Sequence, residues 1–424
     1  MKNALICLEQ LGIGGVETFT LTQVNEFNRR GIKCYILSRD GILREKLEGK
    51  KNIEWIEFDF KLQDTVVDWE EILELEKIIL SKKIDFIYVH QFPCIPYILP
   101  IALRNNIRYV AYLHNIIPGT CEWFLTHYRI FFTLLPMYFQ CASKIIAITK
   151  NVKEEHQYLF ELPDSKYMVV SNSLDFSDYK DKKVKTINMK FDNLLWFGRV
   201  CEHKRESIYT AVKFFKHIKE THNKDVKLTI LGDGEILSEI KEMFKDENIE
   251  FIGAVSNVKP YIEKADILLG VDRCALESVA SKKPTIISGY KGNMIFITPK
   301  NIKKIAKENF SGINVDSNGN ELFKYSEQEL IEIVEENYKY IRENLSIENS
   351  IFLDIPEMTK DDLDLIGMID SANAYIKQIE MLEQENKALY EENQRLYKEN
   401  SFNAKNIILK RIMQKLTRKV KKVK

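Results

Sequence analysis

Short apolar segments alternate with amphipathic segments through the first half of this chain, and this alternation limits the possible folds more than any other feature. Each apolar segment has the length of a strand, and the stretches between them carry apolar residues at helical spacing. Strands joined through helices form a parallel sheet that is covered on both faces. The predicted strands are residues 4–8, 33–38, 86–90, 109–114 and 144–149, with helices that include 16–30 and 69–80.

A second alternation of the same kind follows a polar interval. Residues 175–192 are rich in lysine and aspartate, as an interdomain linker would be. We therefore predict an α/β fold of two Rossmann-like domains, residues 1–180 and 191–345, that face each other across a cleft. Ligands bind at the carboxyl ends of the strands in such sheets. The second set of predicted elements comprises strands 194–197, 227–231, 250–252, 267–269 and 285–287 and helices 207–220 and 235–244.

Charge balance and cysteine usage exclude several classes of protein. Lys and Arg together number 62, as do Asp and Glu, so the net charge indicates no nucleic-acid partner. The seven cysteines include no CxxC pair, which argues against a zinc site and against the disulfide framework of a secreted protein. No apolar run reaches the ~20 residues of a spanning helix, and the N-terminus lacks a signal-peptide cleavage site. We expect a cytoplasmic protein that is not integral to a membrane.

Residues 361–404 show a heptad pattern of apolar residues in place of the α/β alternation. The seam continues through Asn386, Asn393 and Asn400, and asparagine at a seam position fixes the register and favours two strands. The pattern predicts a C-terminal α-helical coiled coil that pairs two copies of the chain as a parallel homodimer. A single helix packed against the rest of the chain is the alternative.

Residues 405–424 form a basic tail with nine Lys or Arg and no acidic residue. Their apolar residues fall on one helical face, which predicts an amphipathic helix attracted to anionic lipid. This places the protein at the inner face of the plasma membrane, as a peripheral partner. A solvated tail or a non-specific contact with nucleic acid are the alternatives.

Glycines follow the first predicted strand of each half, each time near groups that suit an anion. Gly14 and Gly15 open a predicted helix, where close backbone approach and unpaired N–H groups favour a phosphate. Gly198 precedes Arg199, and Lys204 follows; a planar guanidinium and a compact ammonium suit a diphosphate. Both cations would stabilise the charge on a departing diphosphate. A purely structural turn and a solvated basic loop are the respective alternatives.

Two further motifs follow later strands of the second half. Gly232 and Gly234 come directly after strand 227–231, where glycines allow a ligand to approach the backbone. Glu277 lies near the start of the helix that follows strand 267–269. A carboxylate there accepts hydrogen bonds from a ribose diol in dinucleotide folds. The alternative for Glu277 is an N-terminal acid that complements the helix dipole.

The order of these motifs resembles the retaining glycosyltransferases of the large glycogen-synthase-like and mannosyltransferase-like group, family four in the usual classification, which have the GT-B fold. The resemblance covers about residues 1–345. It implies transfer of a sugar from a nucleotide sugar, with the anomeric configuration retained and with no metal or other cofactor required. The segments that carry it are GGVET, FGRVCEHK, LTILGDGE, IEFIGAVSNV, ALESVASKKPTII and KENFSGINV, in that order.

The resemblance also implies roles for individual residues. Arg199 and Lys204 would bind the donor diphosphate, and Glu277 would hold the ribose. Val255 would contact the nucleobase, and His114 would lie beside the transferred sugar; a capped core histidine is the alternative for His114. The two glycines of the GGVET segment would lie against the donor phosphates and sugar.

One position departs from the family pattern. The family carries two glutamates separated by seven residues, but Leu269 stands eight positions before Glu277. Asp272 is the nearest carboxylate that could replace the missing glutamate, with Arg273 beside it. Some members with a shortened G-x-x-R-x-x-L-E segment share this pattern. The departure leaves the identity of the donor sugar open.

The function expected from these features is transfer of a sugar from a UDP- or GDP-sugar to a hydroxyl of a cell-surface glycan or a lipid-linked acceptor. A catalytically silent scaffold of the same fold, acting through its coiled coil, is the alternative from another class. A sugar-nucleotide epimerase of the same fold and a nucleic-acid binder that uses the basic tail are further alternatives.

Overall fold

Two β-sheets flanked by helices form the framework of the protein. In the computed structural model the described residues are 2–60, 69–115, 138–179, 182–245, 247–315 and 318–350, with isolated positions 355, 387–388, 391–392 and 395. The predicted basic tail lies outside these residues, and the predicted coiled coil lies outside them except at five positions. Among the helices of the described chain, none is long and apolar enough to cross a membrane.

The first sheet has seven parallel strands among the described residues, in the order β3-β2-β1-β4-β5-β6-β7. The strand order reverses between β1 and β4, which makes the space beyond their carboxyl ends a switch point for ligands. The strands are β1 Asn3–Gln10, β2 Lys33–Arg39, β3 Ile53–Glu57, β4 Phe86–Val89, β5 Arg108–Leu113, β6 Lys144–Ala147 and β7 Tyr167–Val169. The helices are α1 Gly15–Arg29, α2 Trp69–Ser81, α3 Ile95–Arg104 and α4 Lys150–Phe160.

The second sheet has six strands among the described residues, in the order β10-β9-β8-β11-β12-β13, with β13 antiparallel to its neighbour. Its order reverses between β8 and β11. The strands are β8 Asn193–Phe197, β9 Lys227–Leu231, β10 Ile249–Gly253, β11 Ile267–Gly270, β12 Thr285–Ser288 and β13 Met294–Phe296. The helices are α5 Arg205–Thr221, α6 Leu237–Met243, α7 Lys259–Lys264, α8 Asp272–Ala280, α9 Ile302–Lys307, α10 Glu327–Asn344 and α11 Ile347–Ser350.

Burial explains why the short apolar segments became central strands. Every residue of β4, β11 and β12 is buried, as expected when helices cover both faces of a parallel sheet. Helix α5 buries Ile208, Ala211, Val212 and Phe215, which recur at the spacing of one helical face. The prediction of two α/β domains with parallel sheets is confirmed.

Strands β3, β7 and β13 were not predicted. In β3, glutamates interrupt the apolar residues Ile53, Trp55 and Ile56, and the strand is half-buried at the sheet edge. Strands β7 and β13 have only three residues each. The antiparallel β13 also departs from the purely parallel sheet that helix-connected strands predict.

The chain crosses between the two sheets twice, and the two crossings lie side by side. Leu174 pairs with Ser346 in an isolated parallel bridge. Beyond this bridge Ile347 and Ile355 are buried in the core of the first domain, and Arg108 donates a hydrogen bond to the Ile355 carbonyl. Ile347 and Ile355 therefore belong to the first domain, although both follow the second domain in the chain.

Gly232 is a position where only glycine fits. Its φ is +148°, and a Cβ there would lie 1.8 Å from the Gly198 carbonyl oxygen. We predict that Gly232→Ala lowers the stability of the chain by more than the ~1–3 kcal/mol typical of backbone strain, because a backbone clash adds to the strain.

Thermal unfolding of the purified chain measures this loss. Gly12→Ala is the matched control, because a Cβ at Gly12 would have no atom within 4 Å. Equal melting temperatures for the two variants would contradict the prediction.

Candidate active site

A single cleft of about 2500 Å³ lies between the carboxyl ends of the two sheets and is lined by both domains. The loops after β1 and β5 enter it from the first domain, and the loops after β8, β9, β10 and β11 enter it from the second. The structure brings every residue of the predicted site to this cleft: Gly14, Gly15, His114, Gly198, Arg199, Lys204, Gly232, Gly234, Val255, Asp272, Arg273 and Glu277.

The glycine turn after β1 contacts the cation that follows β8. Gly14 is the N-cap of α1, and its backbone is extended. A Cβ at Gly14 would lie 2.7 Å from Arg199 Nη2, and this same Nη2 donates to the Ile13 carbonyl at 3.4 Å. The absent side chain at Gly14 therefore leaves room for the Arg199 guanidinium across the cleft.

Glu17 is a site residue that the sequence prediction missed. Its side chain is buried beside the glycine turn, and Gln91 donates to its Oε1 at 3.3 Å. Burial raises the pKa of Glu17, against the opposing effects of a backbone hydrogen bond and the Arg199 guanidinium. The sequence feature that could have indicated Glu17 is a carboxylate in the first turn of a predicted helix that begins with two glycines.

A carboxylate, a phenol and an ammonium meet at the start of α8. Lys204 Nζ lies 3.7 Å from Asp272 Oδ2, and the Tyr290 hydroxyl donates to the same oxygen. Burial and the Asp272 carboxylate both raise the pKa of Tyr290. Asp272 has a φ of +55°, a strained region for a residue other than glycine. No sequence motif indicated Tyr290, which lies in the turn between β12 and β13.

Arg273 borders the cleft, and its side chain joins elements of both domains. The residue is 6% exposed, and its three nitrogens all bond to protein groups. Nε donates to Glu277 Oε1 at 2.9 Å, Nη1 to the Ser173 carbonyl at 3.1 Å and Nη2 to Thr22 Oγ1 at 3.1 Å. Arg273 therefore joins α8 of the second domain to α1 of the first and to the segment between the domains.

Glu277 lies in the second turn of α8 and not near its start. The effect of a helix dipole falls off within the first turn, so this position argues against the alternative of a dipole-complementing acid. Its Oε1 is occupied by Arg273, and no described residue donates to its Oε2. The ion pair thus fixes the carboxylate with one oxygen remaining for a ligand in the cleft.

His114 follows β5 and is half-buried at the wall of the cleft. The rings of Phe19 and Tyr112 pack against it, with centroids 5.6 and 5.3 Å away. Burial, assisted by the Arg273 guanidinium, lowers the pKa of His114 to about 3. The side chain is therefore a neutral imidazole at neutral pH.

The remaining predicted residues belong to the loops of the second domain. Gly232 donates from its backbone N–H to the Gly253 carbonyl at 2.9 Å, which joins the loops after β9 and β10. Val255 follows β10 and packs against a small buried cluster that includes Ile262. Within the described part of the chain, no three His, Cys, Asp or Glu side chains are grouped as metal ligands would be.

These features define a two-domain α/β protein of GT-B-like architecture with an interdomain cleft. Residues 13–178 match the family model Glycosyltransferase Family 4, and residues 192–308 match the model Glycosyl transferases group 1. Both matched models describe glycosyltransferases, and each covers less than half of the chain.

Two relatives share sequence with part of the chain. One is the N-acetylgalactosamine-N,N'-diacetylbacillosaminyl-diphospho-undecaprenol 4-alpha-N-acetylgalactosaminyltransferase of Campylobacter jejuni, 24% identical over 168 residues. The other is an uncharacterized glycosyltransferase of Methanocaldococcus jannaschii, 24% identical over 198 residues. The matches cover 37% and 39% of this chain, and only 44% and 49% of the respective relatives.

Solved structures share the fold across most of the chain. Anabaena HepE, solved in complex with UDP-glucose, has a TM-score of 0.60 and 12% identity, covering 90% of this chain and 100% of that one. Sucrose-phosphate synthase from Thermosynechococcus elongatus has a TM-score of 0.56 and 9% identity, covering 82% and 96%. At these identities the likeness establishes the fold alone.

We predict that the hydrogen bond between Thr22 and Arg273 helps to hold the two domains together. Thr22→Val removes the acceptor of Arg273 Nη2 and leaves a buried charged donor unpaired, at a cost of about 1–3 kcal/mol. We expect faster amide hydrogen exchange in α8 and in residues 172–175 of this variant.

Thr20→Val is the matched control. Both threonines are buried on α1, and each hydroxyl donates to the backbone carbonyl one turn earlier: Thr22 to that of Thr18 at 2.9 Å and Thr20 to that of Val16 at 2.8 Å. Thr20 makes no bond to Arg273 among the described contacts. Identical exchange in the two variants would contradict the proposed contact between the domains.

Proposed function

We propose that this protein is a retaining glycosyltransferase that moves a sugar from a UDP- or GDP-sugar to an acceptor hydroxyl. The observation that carries the proposal is the convergence of Arg199, Lys204 and Glu277 on one interdomain cleft beside the glycine turn. The two glycosyltransferase domains support it. The complex of the fold relative HepE with UDP-glucose supports a nucleotide-sugar donor.

The donor phosphates would lie between the two cations and the glycine turn. Arg199 reaches the turn of the first domain, and Lys204 lies next to Gly198 at the end of β8. A guanidinium and an ammonium held in a cleft stabilise the charge that develops when the bond from the sugar to the diphosphate breaks. No residue needs to move far for this role, because both cations already face the cleft.

The rest of the donor would extend along the loops of the second domain. The open Oε2 of Glu277 would accept from the ribose, and the loop at Val255 would contact the base. Gly232 and Gly234 would let the backbone approach the donor. Asp272, held by Tyr290 and Lys204, would stand in for the missing first glutamate toward the sugar.

A lipid-linked or cell-surface glycan is the acceptor that we propose. The name of the Campylobacter jejuni relative includes a diphospho-undecaprenol-linked sugar. The basic tail at residues 405–424 would hold the protein at the cytoplasmic face of the membrane, where such an acceptor is reached. The coiled coil would pair two copies in parallel.

A catalytically silent scaffold that acts through the coiled coil is the alternative, and the geometry of the cleft favours the enzyme. Arg199 and Lys204 line the cleft. Glu277 accepts a hydrogen bond at Oε1, and no described residue donates to its Oε2. A chain selected only as a scaffold has no need of these features. Asp272, which borders the same cleft, would take the place of the glutamate that is missing at Leu269.

A donor screen tests the proposed function. We expect one of the UDP-, GDP- or ADP-sugars to raise the melting temperature, because a ligand that binds the folded state stabilises it. Arg199→Ala and Lys204→Ala should each weaken nucleotide binding at least tenfold, since a charge-assisted contact contributes about 1.5–3 kcal/mol. The turnover number should fall further, by about 10²–10³.

Lys213→Ala is the control for loss of a positive charge, because Lys213 is exposed on α5 and lies outside the cleft. Absence of stabilisation by every donor, together with no effect of Arg199→Ala on transfer, would exclude the enzyme and favour the scaffold.

Nested truncation tests the two C-terminal proposals. Removing residues 405–424 should reduce binding to anionic liposomes, most strongly at low salt, while the dimer persists. Removing residues 361–424 should in addition convert the dimer to a monomer by light scattering, with transfer to a soluble acceptor largely retained. A full-length chain that is already monomeric would rule out the coiled-coil dimer.

A further inference from the structure

A chain of three polar side chains runs from the core of the first domain to the cleft and ends at His114. His90 Nε2 lies 2.8 Å from Gln23 Oε1, and His90 Nδ1 lies 3.0 Å from His114 Nε2. Gln23 is 1% exposed and His90 is 2% exposed, so neither exchanges protons freely with water. The three residues come from α1, from the end of β4 and from the end of β5.

The hydrogen bonds among these three side chains determine which ring nitrogens carry a hydrogen. A carbonyl oxygen only accepts hydrogen bonds, so His90 Nε2 carries the hydrogen that it donates to Gln23 Oε1. A neutral imidazole has one N–H, and therefore His90 Nδ1 is an acceptor. His114 Nε2 must then donate to it, which leaves His114 Nδ1 without a hydrogen.

The count requires both rings to be neutral, and their surroundings make them so. Burial lowers the pKa of His90 well below its ordinary value, and His114 adds to the effect. The Tyr112 ring stacks on both, with centroids 4.8 and 5.3 Å away. The charged group that acts on His114 is the Arg273 guanidinium, which also disfavours a second positive charge.

We propose that Gln23 and His90 are positioning residues that hold His114 in the tautomer with a bare Nδ1. No described residue donates to this nitrogen, and His114 lines the cleft. A bare nitrogen accepts from a hydroxyl or an amide N–H and repels the oxygens of a phosphate or carboxylate. The ligand group beside His114 is therefore a hydroxyl or an acylamino group of the transferred sugar, a step that rests on the proposed function.

Selective labelling of the seven histidines with ¹⁵N tests the tautomer in the unliganded full-length chain. Two-bond ¹⁵N–¹H correlations distinguish a protonated Nε2 from a protonated Nδ1, and His114→Asn assigns the signal. A protonated Nε2 on His114 is the expected result, and a protonated Nδ1 overturns the proposal. This measurement does not depend on activity.

Paired binding measurements test the ligand assignment. The affinity for UDP-glucose relative to UDP reports contacts of the sugar alone. Gln23→Met removes the acceptor of His90 at nearly unchanged length, so this ratio should fall about three- to tenfold, the worth of one hydrogen bond. The affinity for UDP itself should stay the same in this variant.

The remaining outcomes are also decisive. If Gln23→Met changes the His114 tautomer but leaves the affinity for UDP-glucose relative to UDP unchanged, the proposed contact between His114 and the sugar is wrong. A fall in the affinity for UDP itself, equal to that for UDP-glucose, indicates a structural role for Gln23 and contradicts the proposal. If the wild-type chain binds neither compound, nor GDP and GDP-mannose, the proposed donor is wrong, and the tautomer spectrum still decides whether Gln23 and His90 position His114.

Discussion

One buried guanidinium, that of Arg273, links most of the features of the cleft. It neutralises and orients Glu277, it binds the carbonyl of the interdomain Ser173, and it reaches Thr22 on the first helix. A charge buried in this way is tolerated only when its partners are all in place, because loss of one partner leaves an uncompensated charge. The spacing of the two domains and the orientation of a proposed ribose ligand are therefore set by the same side chain.

The two domains contribute different chemistry to the cleft. The second domain supplies the cations Arg199 and Lys204, which suit an anionic donor. It also supplies the carboxylate of Asp272, which pairs with Lys204. In the first domain, burial raises the pKa of Glu17 and lowers that of His114 to about 3, so the His114 imidazole is neutral at neutral pH. A diphosphate would thus be held mainly by the second domain, while His114 offers a hydrogen bond to a neutral group.

Much of the fold was predictable because strands in a parallel sheet are short, apolar and separated by helices. Residues 227–231 were predicted as a strand with the bounds that β9 has, and central strands such as β1 and β11 agree within two residues at each end. Strand β3 was not predicted, because glutamates interrupt its apolar residues at the edge of the sheet. The gathering of the predicted site residues was equally predictable, since the loops after parallel strands all emerge at the same edge.

The sequence by itself determined the two α/β domains and the motifs that line the cleft, because both follow from local spacing and residue type. Only the tertiary structure decided what those residues bond to. Arg273 was predicted beside a donor, yet its partners lie 251, 100 and 4 positions away in the chain. His90 and Tyr290 carry no local signal, and they matter because packing brings them to His114 and Asp272. The contacts of Arg273 with Thr22 and Ser173 depend on how the two domains pack. Those of His90 and Tyr290 depend on which strands are neighbours within one sheet, and no short sequence pattern contains either arrangement.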